Sequence, residues 1–152
     1  MTHLNPGDFA PKFEAQDQHG ATVTLDQFSG KKVVLYFYPK DDTPGCTAQA
    51  CNLRDNYKKL IKKGIAILGV SVDSVASHVK FIDKYELPFS LIADEDKKIV
   101  DKYNLWGQKK FMGREYDGVH RETFVIGGEG RIERVITKVD TKEATKQILA
   151  GA

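Results

Sequence analysis

The chain has 152 residues, of which 41% are hydrophobic and 29% are charged. This is the size and composition of one globular domain and excludes disordered, collagen-like and membrane classes. The 23 lysines and arginines nearly balance the 21 aspartates and glutamates, so charge gives no reason to expect nucleic acid or an anionic membrane as a partner. We therefore expect a single domain over residues 1–152.

Cysteine usage and the N-terminal residues point to a reducing compartment. Residues 1–6 lack the basic and apolar regions of a secretory signal. The chain has only two cysteines, Cys46 and Cys51, which is too few for a disulfide scaffold. We expect a cytoplasmic protein, in which paired cysteines are more often catalytic or metal-binding than structural.

Apolar patterning predicts an α/β order of elements. Strands are predicted, in chain order, at residues 13–17, 23–25, 33–38, 65–72, 123–126 and 131–136. The third and fourth do not alternate in polarity, which is typical of a parallel sheet covered on both faces. The first two form a hairpin around residues 18–21, and the last two form one around the glycine-rich turn 127–130.

Four helices complete the predicted order. Apolar residues at helical spacing place them at 47–62, 74–85, 94–103 and 141–149, with Asp94 as the N-cap of the third. Strands and helices in this order predict a central mixed sheet flanked by helices, with a parallel core, an antiparallel edge and an added N-terminal hairpin.

Cys46 lies between the first buried strand and the helix that follows it, where chemistry gathers in open α/β sheets. Thr43 and Pro44 fit an N-cap followed by the first helical residue, which puts Cys46 in the first turn. Free backbone N–H groups and the positive end of the helix favour a thiolate there. Helix position alone does not separate this interpretation from a small buried hydrophobic cysteine.

Cys51 lies five positions further along the same predicted helix. Five helical residues place the two Cα atoms roughly 8–9 Å apart, whereas a disulfide spans at most about 7 Å. The sulfurs can therefore bond only if the first turns of the helix unwind, which favours a transient bridge over a permanent one. No metal site is expected, because the four histidines are scattered singly along the chain.

The surrounding residues carry a resemblance to a known family. Pro39, Thr43 and Cys46, spaced Pro-x-x-x-Thr-x-x-Cys, resemble the peroxidatic motif of the peroxiredoxins. The flanking residues and Cys51 resemble the bacterioferritin-comigratory-protein, or peroxiredoxin Q, subfamily. The likeness extends over nearly the whole chain, including residues 7–13, 36–39, 50–55, 69–73, 91–94, 106–113 and 120–126.

The resemblance implies a thioredoxin-like fold and a thiol-dependent peroxidase, without a cofactor, that reduces hydrogen peroxide and organic hydroperoxides. Cys46 attacks the O–O bond and becomes a sulfenic acid, and Cys51 resolves it as an intramolecular disulfide. Thr43 orients the peroxide, Pro39 shields the sulfenic acid, and Arg121 stabilises the thiolate and the leaving oxygen. Thioredoxin, with glutaredoxin as a second candidate, restores the thiols, and we expect a monomer.

Two features of the match are left open. Spacing does not distinguish Arg121 from Arg54 or Arg114 as the active-site cation, so that assignment depends on the resemblance. Gln49 stands where several relatives carry an acidic residue, which alters the expected electrostatics of the helix.

Residues 107–118 are predicted to form a long, glycine-punctuated loop. For the apolar residues Trp106, Phe111 and Met112 we favour packing against the core over contact with a substrate or reductase. Short basic runs such as Lys109-Lys110 are expected to be solvated.

Two other function classes remain as alternatives. A thioredoxin-type disulfide oxidoreductase normally carries Cys-x-x-Cys at the helix start, whereas four residues separate the cysteines here. In a binding module without catalysis, both cysteines would be inert core residues.

Overall fold

The computed structural model describes residues 2–150, apart from the side chain of Phe111. Its strands are β1 (Glu14–Gln16), β2 (Thr22–Thr24), β3 (Lys32–Phe37), β4 (Ile65–Ser71), β5 (Ser90–Ala93), β6 (Trp106–Phe111), β7 (Arg114–Val119), β8 (Glu122–Ile126) and β9 (Ile132–Ile136). Its α-helices are α1 (Pro44–Asp55), α2 (Tyr57–Lys62), α3 (Val75–Tyr85), α4 (Lys98–Lys102) and α5 (Ala144–Leu149). Within residues 2–150, no helix has the length and apolar character needed to cross a membrane.

Seven strands form one mixed sheet in the order β2-β1-β5-β4-β3-β8-β9. β3, β4 and β5 are parallel, while β8 runs antiparallel to β3 and β9 runs antiparallel to β8 at the edge. At the other edge, the N-terminal hairpin of β1 and β2 joins the sheet through an antiparallel contact with β5. The predicted parallel core, antiparallel edge and N-terminal hairpin are therefore confirmed.

Hydrophobic residues fill both faces of this sheet. Successive side chains of a strand point to opposite faces, so Leu35 and Phe37 of β3 pack in one apolar cluster and Val34 and Tyr36 in the other. Helix α4 covers the first face, and α1, α3 and α5 cover the second. Cys46 belongs to the second cluster, between the sheet and these helices.

The predicted helix 47–62 is in fact two helices. Helix α1 ends at Asp55 and α2 begins at Tyr57. Between them, the side-chain amide of Asn56 donates to the carbonyl oxygen of Asn52 at 2.8 Å, the acceptor that its own backbone N–H also uses at 3.2 Å. A side chain that competes for a helical carbonyl in this way offers the backbone an alternative to continuing the helix.

Asp94 caps α4, but it lies further before the start of the helix in the chain than the sequence predicts. Its two carboxylate oxygens accept from the backbone N–H groups of Ile99 and Val100 at 3.1 and 2.8 Å. The helix begins only at Lys98, so the predicted span 94–103 was too long. The last helix likewise begins at Ala144 rather than at residue 141.

Three further strands, β5, β6 and β7, were missed. Strand β5 pairs with β4, but its apolar run Leu91-Ile92 is shorter than the four to eight residues that predict a buried strand. The predicted loop 107–118 is wrong, because β6 and β7 pair antiparallel from Trp106↔Val119 to Phe111↔Arg114 in a separate two-stranded sheet.

Candidate active site

The site forms where the carboxyl end of β3 meets the start of α1. Strand β8 runs antiparallel to β3, and their register pairs Phe37 with Glu122. Arg121, the residue before β8, therefore lies beside the segment that leads from β3 into α1. Sheet topology thus brings the arginine to the first turn of the helix that carries Cys46.

Arg121 contacts Cys46 directly. Its Nη2 atom donates to the Cys46 Sγ at 3.2 Å, and its Nη1 atom donates to the Gln49 side-chain oxygen at 2.7 Å. Cys46 is 2% exposed and Gln49 is 1% exposed. A planar guanidinium donates in fixed directions, so the two bonds together orient one N–H toward the sulfur. The arrangement favours a negatively charged sulfur, because the cation is adjacent and partly shielded from water.

Gly45 leaves room for this contact. A Cβ atom at this position would lie 3.2 Å from Nη2 of Arg121 and 3.9 Å from the side chain of Thr141. The first of these separations is tighter than most contacts between a Cβ and a heavy atom, so a larger residue would displace the guanidinium. The absence of a side chain at Gly45 therefore permits the approach of Arg121 to the sulfur.

Thr43 has the extended backbone of an N-cap, but its side chain does not cap α1. Its hydroxyl instead donates to the carbonyl oxygen of Lys40 at 2.8 Å. The expected side-chain cap is therefore wrong, although Thr43 does precede the helix and Pro44 does occupy its first turn. Pro39 follows β3 and is half-buried.

Cys51 lies on the same helix as Cys46, and both cysteines are free thiols. Cys51 is half-buried whereas Cys46 is buried. Next to Cys51, Asn52 connects α1 to α5: its Oδ1 accepts from the Thr145 N–H at 2.9 Å and its Nδ2 donates to the Lys142 carbonyl at 2.8 Å. The half of α1 that carries Cys51 is therefore anchored independently of Arg121.

A second cation lies close enough to act on the site. Lys109 of β6 is half-buried and donates to the carbonyl oxygen of Val119 at 3.0 Å. Burial and the charge of Arg121 lower the pKa of Lys109, and the charge of Cys46 acts in the opposite direction. The expectation that Lys109 is solvated was therefore wrong, because pairing of β6 with β7 turns this side chain inward.

The other predicted cations lie elsewhere. Arg54 donates to Asp55 at 3.0 Å and to the carbonyl oxygen of Tyr85 at 2.8 Å, and Arg114 is exposed on β7. Of the three candidate arginines, the structure places only Arg121 within hydrogen-bond distance of Cys46. Among the residues that the structure describes, no group of His, Cys, Asp and Glu has the arrangement of a metal site.

The apolar residues of the 106–112 region have different environments. Trp106 is half-buried, packs against the core and has the Lys97 Nζ 4.1 Å from its ring centroid. Met112 is 87% exposed at the hairpin turn, so core packing was wrong for this residue. The side chain of Phe111 lies outside the described part of the chain.

A buried polar cluster beside the site was not predicted. Asp41, between Pro39 and Thr43, accepts from the Tyr38 hydroxyl at 2.6 Å and from the Ser77 hydroxyl at 2.8 Å, and lies 2.6 Å from Nδ1 of His78. Buried Asp and His are uncommon unless paired, but burial of His78 is not visible in the sequence. The polar pair Ser77-His78 early in an otherwise amphipathic helix was the one available signal.

Comparison with known proteins shows the family of the chain. The sequence profile of the AhpC/TSA family matches residues 6–135. The chain is 47% identical over 141 residues to Peroxiredoxin Bcp of Escherichia coli strain K12, an alignment that covers 93% of this chain and 90% of that protein.

Solved structures give the same result. A cysteine-to-serine mutant of Xylella fastidiosa PrxQ superposes with a TM-score of 0.92 at 28% identity, covering 99% of this chain and 96% of that one. A bacterioferritin comigratory protein of Xanthomonas campestris, solved in a study of its alkyl peroxide reduction activity, superposes with a TM-score of 0.86 at 31% identity, covering 99% and 96%. The predicted thioredoxin-like fold is confirmed. The chain therefore belongs to the AhpC/TSA family and is a thiol-dependent peroxidase of the Bcp/PrxQ peroxiredoxin group.

Proposed function

We propose that Cys46 is the peroxidatic nucleophile and that Arg121 activates it. The observation that carries this assignment is the 3.2 Å contact between Arg121 Nη2 and Cys46 Sγ. The thiolate attacks one peroxide oxygen and the O–O bond breaks. The second oxygen leaves with the bonding electron pair and takes up a proton, and Cys46 becomes a sulfenic acid. Arg121 stabilises the charge that moves from the sulfur to the leaving oxygen.

Thr43 and Pro39 shape the space in front of the sulfur. The hydroxyl proton of Thr43 is used in its bond to the Lys40 carbonyl, so its oxygen has only lone pairs to offer a substrate. Thr43 therefore accepts a hydrogen bond from the O–H of the hydroperoxide and orients it. Pro39, half-buried at the end of β3, shields the sulfenic acid from water.

Cys51 resolves the sulfenic acid. Its thiolate attacks the sulfur of Cys46 and displaces hydroxide, which leaves as water, so that one disulfide forms within the chain. Both residues belong to α1, and the roughly 8–9 Å between their Cα atoms in a regular helix exceeds the reach of a disulfide. Resolution therefore requires the first turns of α1 to unwind.

We infer that an external dithiol protein reduces this disulfide. Peroxiredoxins use peroxide substrates and thioredoxin-type reductants, and we propose thioredoxin as the partner here, with glutaredoxin as the second candidate. The substrates are hydrogen peroxide and organic hydroperoxides. Alkyl peroxide reduction by the Xanthomonas campestris relative supports the second class.

We also propose that the chain acts as a single-domain monomer in the cytoplasm. An intramolecular resolving cysteine needs no second subunit for its chemistry. Two free thiols that cycle through a disulfide need a compartment that supplies reduced dithiol protein.

Mass spectrometry after a single turnover tests the assignment. One equivalent of hydrogen peroxide should remove two hydrogens from the tryptic peptide of residues 41–54, which contains both cysteines. Cys46→Ser should abolish peroxide consumption. Cys51→Ser should consume one equivalent and keep Cys46 oxidised. Peroxide turnover that survives in Cys46→Ser would contradict the proposed function.

A further inference from the structure

His78 belongs to α3, and its side chain is fully buried against the end of β3 and against β5. Its Nδ1 atom lies 2.6 Å from a carboxylate oxygen of Asp41, and its Nε2 atom lies 2.9 Å from the carbonyl oxygen of Ile92. The side chains of His78 and Asp41 are 0% and 4% exposed. Neither residue contacts Cys46 in the described hydrogen bonds, and the peroxidase chemistry above does not use them.

The partners of the ring determine its protonation. A carbonyl oxygen only accepts hydrogen bonds, so Nε2 carries a proton. Both carboxylate oxygens of Asp41 already accept from the hydroxyls of Tyr38 and Ser77, and we assign Nδ1, 2.6 Å away, as a third donor to this carboxylate. With both nitrogens protonated, His78 is an imidazolium and forms a buried ion pair with Asp41.

Asp41 is also the centre of the segment that precedes Cys46. Its backbone N–H donates to the Asp73 carboxylate at 2.9 Å. The next residue, Asp42, has a φ of 56°, a left-handed conformation that non-glycine residues adopt at some cost. Asp42 is held from α3 by Lys84 Nζ at 2.8 Å and by the Tyr85 hydroxyl at 2.7 Å. Helix α3 therefore fixes the segment between Pro39 and Thr43 at two consecutive residues.

We propose that the Asp41–His78 ion pair is a positioning device for the peroxide reaction: it holds residues 39–43 against α3 and so sets Thr43 and the start of α1 relative to Cys46. His78 and Asp41 are positioning residues, because they act through the segment and not on the substrate. The inference rests on the proposed role of Cys46 and Thr43. A buried ion pair that loses one charge leaves the other uncompensated, so neutralising either partner should release the segment.

Two carboxylates and one backbone carbonyl act on the imidazole. Asp41 follows β3, Asp73 follows β4, and the Ile92 carbonyl belongs to β5, while the neutral phenol of Tyr38 bonds to Asp41. Burial lowers the pKa of His78, but the hydrogen bond and charge of Asp41, the Ile92 carbonyl and Asp73 raise it, and the net pKa lies above the ordinary 6.5. The ring therefore stays protonated to a higher pH than an ordinary histidine, and the device is lost as the pH rises through that raised pKa.

The first measurement needs no variant. Selectively labelled histidine in the reduced wild-type protein should show His78 as an imidazolium at pH 7 by NMR, with both ring nitrogens protonated. The exposed His19 serves as the reference for an unpaired ring. A neutral His78 ring at pH 7 would overturn the proposal, whether or not any variant folds.

Kinetics then test positioning. His78→Gln and Asp41→Asn should each lower the second-order rate of Cys46 oxidation by hydrogen peroxide at pH 7 by about tenfold or more, since small misplacements of reacting groups have effects of this order. Disulfide formation with Cys51, measured after oxidation, should be unchanged or faster. His19→Gln is the matched control and should leave both rates unchanged. The ratio of the wild-type and His78→Gln oxidation rates should shrink as the pH rises through the pKa of His78.

The outcomes separate this inference from the proposed function. If folded His78→Gln and Asp41→Asn oxidise at the wild-type rate at every pH, the pair has only a structural role and the inference is wrong. Such a result would leave the role of Cys46 intact, because that role depends on the loss of activity in Cys46→Ser. Folding is checked for each variant by its thermal midpoint before the kinetics are compared.

Discussion

Nη2 of Arg121 lies 3.2 Å from Sγ of Cys46, although 75 positions separate the two residues in the chain. The contact depends on three local conditions: the antiparallel register of β8 beside β3, the missing side chain at Gly45, and the Gln49 oxygen that holds the other arm of the guanidinium. Arg121 itself, Gly45 and Gln49 each lead to a prediction about the reactivity of Cys46.

The geometry of the guanidinium should matter as well as its charge. Arg121→Lys retains a positive charge but cannot donate to Gln49 and Cys46 through one planar group. We expect kcat/KM for hydrogen peroxide to fall at least tenfold, and Arg121→Met to lower it by about 10²–10³, as for loss of a donor at a developing charge. Arg134→Lys is the control, because Arg134 bonds the carbonyls of Ile148 and Gln147 away from the site. Equal losses in both lysine variants would contradict the prediction.

Gly45→Ala should slow the same reaction without unfolding the protein. The added Cβ would lie 3.2 Å from Arg121 Nη2, so the guanidinium must shift and its bond to the sulfur should lengthen. We expect a slower reaction of Cys46 with hydrogen peroxide and with iodoacetamide, and an almost unchanged thermal midpoint, because Gly45 has an ordinary helical backbone. Wild-type rates for both reagents would show that the arginine has room to adjust.

A glutamate in place of Gln49 should preserve the structure of the site, but its negative charge should lower the reactivity of Cys46. A glutamate can accept the same hydrogen bond from Arg121 Nη1, but it adds a negative charge within one helical turn of Cys46. We therefore expect Gln49→Glu to keep the protein folded and to slow iodoacetamide alkylation of Cys46 at pH 7. Gln49→Leu leaves Nη1 of Arg121 without this acceptor. The guanidinium is then no longer held toward the sulfur of Cys46, so peroxide reduction should be slower. An alkylation rate in Gln49→Glu equal to or above that of the wild type would refute the electrostatic argument.

Asn52 should oppose the unwinding that disulfide formation requires. Its side chain makes hydrogen bonds of 2.8 and 2.9 Å to the backbone before and at the start of α5. We expect Asn52→Ala to lower the free energy of unfolding by about 1–2 kcal/mol. It should also speed formation of the Cys46–Cys51 disulfide after a single addition of peroxide.

Asn56→Ala provides the comparison for Asn52. Among the described residues, the Asn56 side-chain amide bonds only to the carbonyl oxygen of Asn52, so its loss does not detach α1 from α5. Disulfide formation should therefore keep its wild-type rate in Asn56→Ala. If both variants accelerate disulfide formation equally, the cause is a general loosening of α1 and not the loss of the hydrogen bonds between Asn52 and the α5 region.

Stability should depend on pH through His78. The pKa of His78 in the folded protein is raised above the ordinary 6.5, so the folded state binds the proton more tightly than the unfolded state. The contribution of His78 to the free energy of unfolding is then complete below about pH 6.5 and is lost as the pH rises through the raised pKa. Urea unfolding of wild type and His78→Gln should show the largest difference at the acidic end of this window and a shrinking difference above it. A difference that grows with pH would mean that the ring is neutral in the folded protein.

Local sequence signals predicted the elements whose stability is local. The non-alternating runs around Leu35 and Leu68 are typical of the buried strands that they form. The helix predicted at 74–85 begins directly after Ser74, whose side chain accepts from the Ser77 N–H at 3.1 Å. Pairing of β6 with β7 was not predicted, because charged residues such as Lys110 and Glu115 face each other there and a polar hairpin lacks an apolar alternation. The break at Asn56 was missed for a related reason: the apolar spacing continues through it.

By itself, the sequence determined where the two cysteines lie on their helix. A cysteine three residues after an N-cap threonine belongs to the first turn of a helix. Two cysteines five positions apart on one helix exclude a static bridge, and both conclusions depend only on helix geometry. Only the tertiary structure decided which arginine faces the sulfur, that Lys109 is half-buried, and that His78 pairs with Asp41. Those contacts join residues that lie far apart in the chain, and sheet register and burial, which no local pattern encodes, bring them together.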